Sequence, residues 1–130
     1  MDNTNELVKP RRIYEAGESQ RLGKGKRLMP AVAADTNGVV HMSWFDTRTS
    51  PTNPDLLDIF ATFTLNNGGS FAPNARANAT QITASSGDFI GDYSGIAAGP
   101  DGTTGLAHPV WTSGGLNENG KMQSATLTVP

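Results

Sequence analysis

The chain has 130 residues, a formal net charge of -2, and only 36% hydrophobic and 17% charged residues. That length suits one domain, and 15 glycines with 8 prolines suit many short strands joined by turns rather than helices. The near-neutral balance gives no broad field for a polyanion, the lack of cysteine excludes disulfides and thiol chemistry, and no apolar run is long enough to span a bilayer, so neither nucleic acid nor membrane is expected as a partner.

Taken in order, Glu6 to Tyr14 reads as an edge strand, because Pro10 removes a ladder donor. Gly17 to Arg27 is a loop whose basic run, RLGKGKR, reads as solvated and loosened by glycine. Leu28 to Ala34 is a strand of small residues. Asp35 to Gly38 carries the Asn-Gly hairpin signal. Val39 to Phe45 then alternates, and the face holding Val40, Met42 and Trp44 is the apolar one, expected to point to the core. A polar loop from Asp46 to Asp55 leads to a third strand, Leu56 to Leu65. Asn66 to Phe71 is a second turn, and Ala72 to Ala84 a polar outer strand with Ile82 its only large aliphatic residue. Ser85 to Tyr93 is a loop. The pattern then returns, with a strand at Ser94, a turn at Pro100-Asp101-Gly102, a strand from Leu106 to Trp111, a loop from Gly114 to Gly120, and a last strand from Lys121 to Val129.

The return is a repeat, and internal repeats govern the architecture. Asn37-Gly38 and Asp101-Gly102 are 64 residues apart, as are Phe60 to Phe63 and Ser124 to Leu127; Trp44 and Trp111 are 67 apart, which puts three extra residues in the second hairpin. The expected fold is all-β: two four-stranded antiparallel β-propeller blades, one over about 28–84, the other over about 92–130 completed by the strand at 6–14. Two blades cannot close a ring, since propellers take about four to eight. The unit is therefore expected in a six-bladed ring, as a trimer or as a fragment of a longer chain. A small monomeric sandwich or barrel is the alternative.

The stretch Pro30 to Arg48, with the pattern P-A-V-A-A-D-x-x-G-x-V-H-x-x-W-x-D-x-R, resembles blades of the BNR/Asp-box group, the sialidase-like six-bladed propellers. Asn66-Asn67-Gly68-Gly69-Ser70-Phe71 is similar to a degenerate Asp-box, with Asn for Asp and Phe for Trp. Gly87 to Ala98 and Ala107 to Thr112 resemble a blade start of the same group. The resemblance implies a glycan-related role and an extracellular or periplasmic setting, although the polar start of the chain is no signal peptide. Arg12-Ile13-Tyr14 departs from the family's Arg-Ile-Pro signature. Carbohydrate binding or a scaffold role is thus expected of this chain rather than hydrolysis. A self-associating structural unit and an exo-sialidase active only when assembled are the alternatives.

Asp46, Asp92 and Tyr93 are the candidate catalytic residues. Asp92 and Tyr93 precede a strand expected near a propeller axis, where an Asp can serve as general acid and a Tyr as the sialidase-type nucleophile. Arg48, Asp88 and Arg27 are the candidate substrate-binding residues, since a guanidinium presents a planar fork to carboxylates. For Asp46 and Arg48 the competing reading is an ion pair or turn bond pinning their loop. For Asp92 and Tyr93 it is a capping carboxylate and a packed ring. His41 and His108 are repeat-equivalent, which favours packing over metal binding, so no metal site is expected. Asn53, Asp55 and Asp58 offer oxygen ligands to calcium without an EF-hand spacing, and no cofactor is expected. Trp44 and Trp111 read as core.

Overall fold

A computed structural model describes residues 26–53, 55–84, 94–101, 104–113 and 121–130. The expected strand at 6–14, and with it the completion of the second blade, lies outside them. The described residues form two antiparallel sheets and no helix. The first holds β1 (Arg27–Ala34), β2 (Val40–Asp46), β3 (Leu56–Thr64), β4 (Ala75–Arg76) and β5 (Ile82–Thr83). The second holds β6 (Gly95–Asp101), β7 (Thr104–Ser113), β8 (Lys121–Ser124) and β9 (Leu127–Thr128). Both are meanders in chain order, with β4 and β5 both on β3, and β8 and β9 both on β7.

Local chemistry sets the turns. Asp35 Oδ1 accepts from the backbone N–H groups of Asn37 and Val39, both at 2.9 Å, and Gly38 takes a φ of 80° that few other residues adopt without strain. The second turn is closed by side chains. Thr64 Oγ1 donates to Asn66 Oδ1 at 2.9 Å and accepts from Gly68 N at 3.0 Å, while Ser70 N donates to Asn66 Oδ1 at 2.8 Å. The outer strand is split because Asn78 replaces the backbone ladder: Ile59 N donates 2.7 Å to its Oδ1. Pro109 splits the matching strand of the second sheet. It has no N–H to give Ala125, whose own N–H reaches the Pro109 carbonyl at 3.2 Å.

The registers test the repeat. Shifting Ala34 by 64 and Val40 by 67 gives Ala98 and Ala107, and both pairs are cross-strand partners. The three extra residues extend the second hairpin ladder through Pro100 to Asp101↔Thr104, past the turn expected at Pro100. The third strands align at 63 rather than 64, because Ser43↔Ala61 corresponds to Val110↔Ser124.

Partners across a ladder share a face. One face of the first sheet carries His41, Ser43, Phe45, Ile59 and Leu57; the other carries Val32, Met42, Trp44, Phe60, Asp46 and Asp58. The core joins Phe45, Leu57, Ile59 and Ile82 to Trp111 of the second sheet. The first sheet therefore meets the second through its Phe45 face, which corrects the expectation that the Trp44 face points to this core. Trp44 is buried on the far side, under charged side chains. Gly105 lies in the same seam so closely that a Cβ would stand 2.9 Å from Asp35 Oδ2. β6 packs along β1 and β2.

The packing joins unlike faces. The second sheet uses its Gly105, Ala107, Pro109 and Trp111 face, whereas the counterparts of His41, Ser43 and Phe45 are His108, Val110 and Thr112 on its far side. A two-fold sandwich would join like faces. This seam is head-to-tail.

Candidate functional site

The β1–β2–β3 ladder puts Arg27, Asp46 and Asp58 on one rung, with Trp44 and Phe60 on a neighbouring rung of the same face. Both carboxylates have no exposed side-chain surface. Two buried carboxylates side by side repel and lose hydration, so each needs donors. Asp46 Oδ2 accepts from Trp44 Nε1 at 2.8 Å, Arg48 Nε at 2.8 Å and Arg48 Nη2 at 2.6 Å, with Arg27 Nε 3.5 Å away. Its Oδ1 accepts from the Arg48 backbone N–H at 2.8 Å. The Arg48 guanidinium is held in turn 4.2 Å from the Phe60 ring centroid and 5.8 Å from that of Trp44.

Asp58 has its own set. Oδ1 accepts from Arg76 Nη2 at 2.7 Å and Asn78 Nδ2 at 2.8 Å; Oδ2 accepts from Thr49 Oγ1 and from Gln81 Nε2 at 3.1 Å. Burial pushes its pKa up, but the bonds from Thr49, Asn78 and Gln81 and the charge of Arg76 outweigh it, so the group is held below the usual carboxylate value. Among the described residues, three guanidiniums thus face two carboxylates. The cluster fastens the 47–55 loop to the sheet, helped by Thr47 N donating to the Lys26 carbonyl at 3.1 Å and Lys26 N donating to Thr47 Oγ1 at 2.8 Å.

Of the sequence-predicted site residues, the fold brings Asp46, Arg48 and Arg27 together, in the arrangement of an ion pair plus turn bond. Asp88, Asp92 and Tyr93 lie outside the described residues. Ala84 and Ser94, on either side of that segment, sit at the same end of the sheets as Asp46: Ala84 N bonds the Asp55 carbonyl at 2.7 Å and Ser94 Oγ the Met29 carbonyl at 3.2 Å. Sequence spacing does not group Asp58, Asn78, Arg76 and Gln81, although it sets Asp58 among possible oxygen ligands. The signal that finds them is the β2–β3 register, which sets Asp46 opposite Asp58. Asn53 Oδ1 accepts from Asp55 N at 3.1 Å, and among the described residues no group of three His, Asp or Glu is arranged to hold a metal.

Beside the cluster, at the same end, a cleft of about 480 Å³ separates β5 from the β7–β8 end of the second sheet. Hydroxyls of Thr80, Thr83 and Ser113, amides of Gln81 and Gln123, and the Lys121 ammonium line it. Gln81 links cleft and cluster, its Nε2 reaching Thr49 Oγ1 and Ser50 Oγ at 3.0 Å besides Asp58. Among the described residues this wall is neutral donors and acceptors with one cation beside the apolar Ile82, which suits a polyhydroxylated ligand. The chain matches no protein-family model, no curated protein and no solved structure.

Proposed function

We propose that the chain is a pair of adjacent β-propeller blades of the sialidase-like kind, belonging to a six-bladed ring by assembly or truncation, and that it binds carbohydrate or serves as scaffold rather than hydrolysing it alone. The observation that carries the binding role is the cleft lined by Gln81, Gln123, Lys121 and three hydroxyls. Support for the blades comes from the head-to-tail seam, from the inner strands β1 and β6 lying side by side, and from the Asp-box-like turn closed through Thr64, Asn66 and Ser70. Support for the absence of hydrolysis comes from Asp46, which has no exposed side-chain surface and accepts its hydrogen bonds from the chain's own donors.

The test is titration of the labelled chain with a panel of neutral and acidic saccharides, followed by amide chemical shifts. Shifts should gather at Gln81, Lys121 and Gln123 and vanish in Gln123→Ala, while a fluorogenic sialoside is not turned over. Silence of the panel at millimolar saccharide rejects the binding role. Turnover that Asp92→Asn abolishes rejects the non-catalytic one.

A further inference from the structure

Among the described residues, the seam between the sheets uses one face of each and leaves the complementary pair outside it. If the first sheet's far face and the second sheet's far face are the two halves of a second such seam, positions equivalent to seam residues should be open at both ends of the molecule. On the second sheet Met122, Ser124 and His108 are exposed, and on the first Val32 is, with Val40 and Met42 half-buried and Trp44 covered by Arg48. Ile59 is buried in the seam, and its counterpart Met122 is 59% exposed. Ala61 is buried and its counterpart Ser124 exposed; His41 is buried and its counterpart His108 exposed. At the other end, Ile96 shares the Trp111 face and is half-buried, while its counterpart Val32 is 62% exposed.

Among the described residues, Val32 and Met122 are thus two of the four large apolar residues most open to solvent, and each stands where the repeat puts a seam residue. Neither is explained by the fold of its own sheet. A heterologous contact has two different halves, and a chain that ends in one of each can take a second copy end to end.

We propose that the Val32–Met42 face of one copy docks on the Met122–His108 face of a second copy of this chain, repeating the internal seam between molecules, an inference that rests on reading the two sheets as adjacent blades of a ring built by assembly. The contact is directional, so it closes into a ring where the rotation between sheets permits.

Sedimentation of the full chain at about 100 μM, a concentration suited to contacts of ordinary interface size, should give a mass above the monomer. Val32→Asp and Met122→Asp should each be monomeric with unchanged circular dichroism, since both sites are exposed. Mixed in equal amounts, the two variants should form a dimer, because each keeps the half-face that the other lacks. A monomeric parent chain overturns the proposal. So does a mixture that stays monomeric, or a single variant that associates as the parent does.

Discussion

The two sheets repeat one ladder and finish it with different chemistry. In the first, Trp44 donates its indole N–H to Asp46, and the rung is completed by Arg27, Arg48 and Asp58. In the second, Trp111 stands at the equivalent place, but its buried Nε1 has no hydrogen-bond partner among the described residues, because Ser113 replaces Asp46 and Lys121 replaces Asp58. The backbone ladder and the buried tryptophan are what the fold requires twice. The carboxylate–guanidinium cluster is an addition to one sheet, where it covers a tryptophan on the face turned away from the second sheet of the same chain.

The largest expected effect breaks the cluster on one side only. Asp46→Ala leaves the Arg48 guanidinium, packed over Phe60, without its counter-charge, and should destabilise by about 3–5 kcal/mol. Ser113→Ala, at the equivalent site, should stay within about 0.5 kcal/mol. Paired chemical denaturation curves decide this, and equal losses would deny that the cluster is local to one sheet.

Next is the seam. Gly105→Ala places a methyl group 2.9 Å from Asp35 Oδ2 and 3.3 Å from Val129 Cγ2. The overlap should cost about 1–3 kcal/mol. Gly99→Ala, where a Cβ meets nothing within 4 Å, serves as the control in thermal melts.

Acid should act on the first sheet. Asp58 has a pKa below its ordinary value, so its contribution is present above the unfolded carboxylate's titration and is lost as pH falls through the folded value. Melting temperatures taken from neutral pH downward should fall on the acid side, and Asp58→Asn should flatten that limb while lowering stability at neutral pH. An unchanged acid limb in the variant would assign the loss to other carboxylates.

The smallest effect sharpens the comparison. Ser113→Asp offers Trp111 the acceptor that Trp44 has, opposite Lys121. It should stabilise by about 1 kcal/mol. A loss instead would mean that the carboxylate is tolerated only beside Arg27 and Arg48.

Much of this was legible in the residues. Asn37-Gly38 marked its hairpin, the run from Leu56 to Leu65 its strand, and the spacing of the two tryptophans the three-residue extension of the second hairpin. Asp46 and Arg48 stood out as a carboxylate and a guanidinium close in the chain, with an ion pair or turn bond as one of their two readings. The buried face of β2 was not legible, since Val40, Met42 and Trp44 are more apolar than His41 and Ser43, yet the latter enter the seam.

What the sequence by itself determined is local: alternation, turn chemistry and repeat spacing, all written within a few residues or one repeat length. What only the tertiary structure decided is which faces meet and which polar groups share a site. Asp46 and Asp58 are neighbours through the β2–β3 register, and Arg76, Asn78 and Gln81 join them because the split outer strand folds back over β3. Those contacts depend on long-range pairing, and a charge buried by a distant strand carries no mark of it in its own neighbourhood.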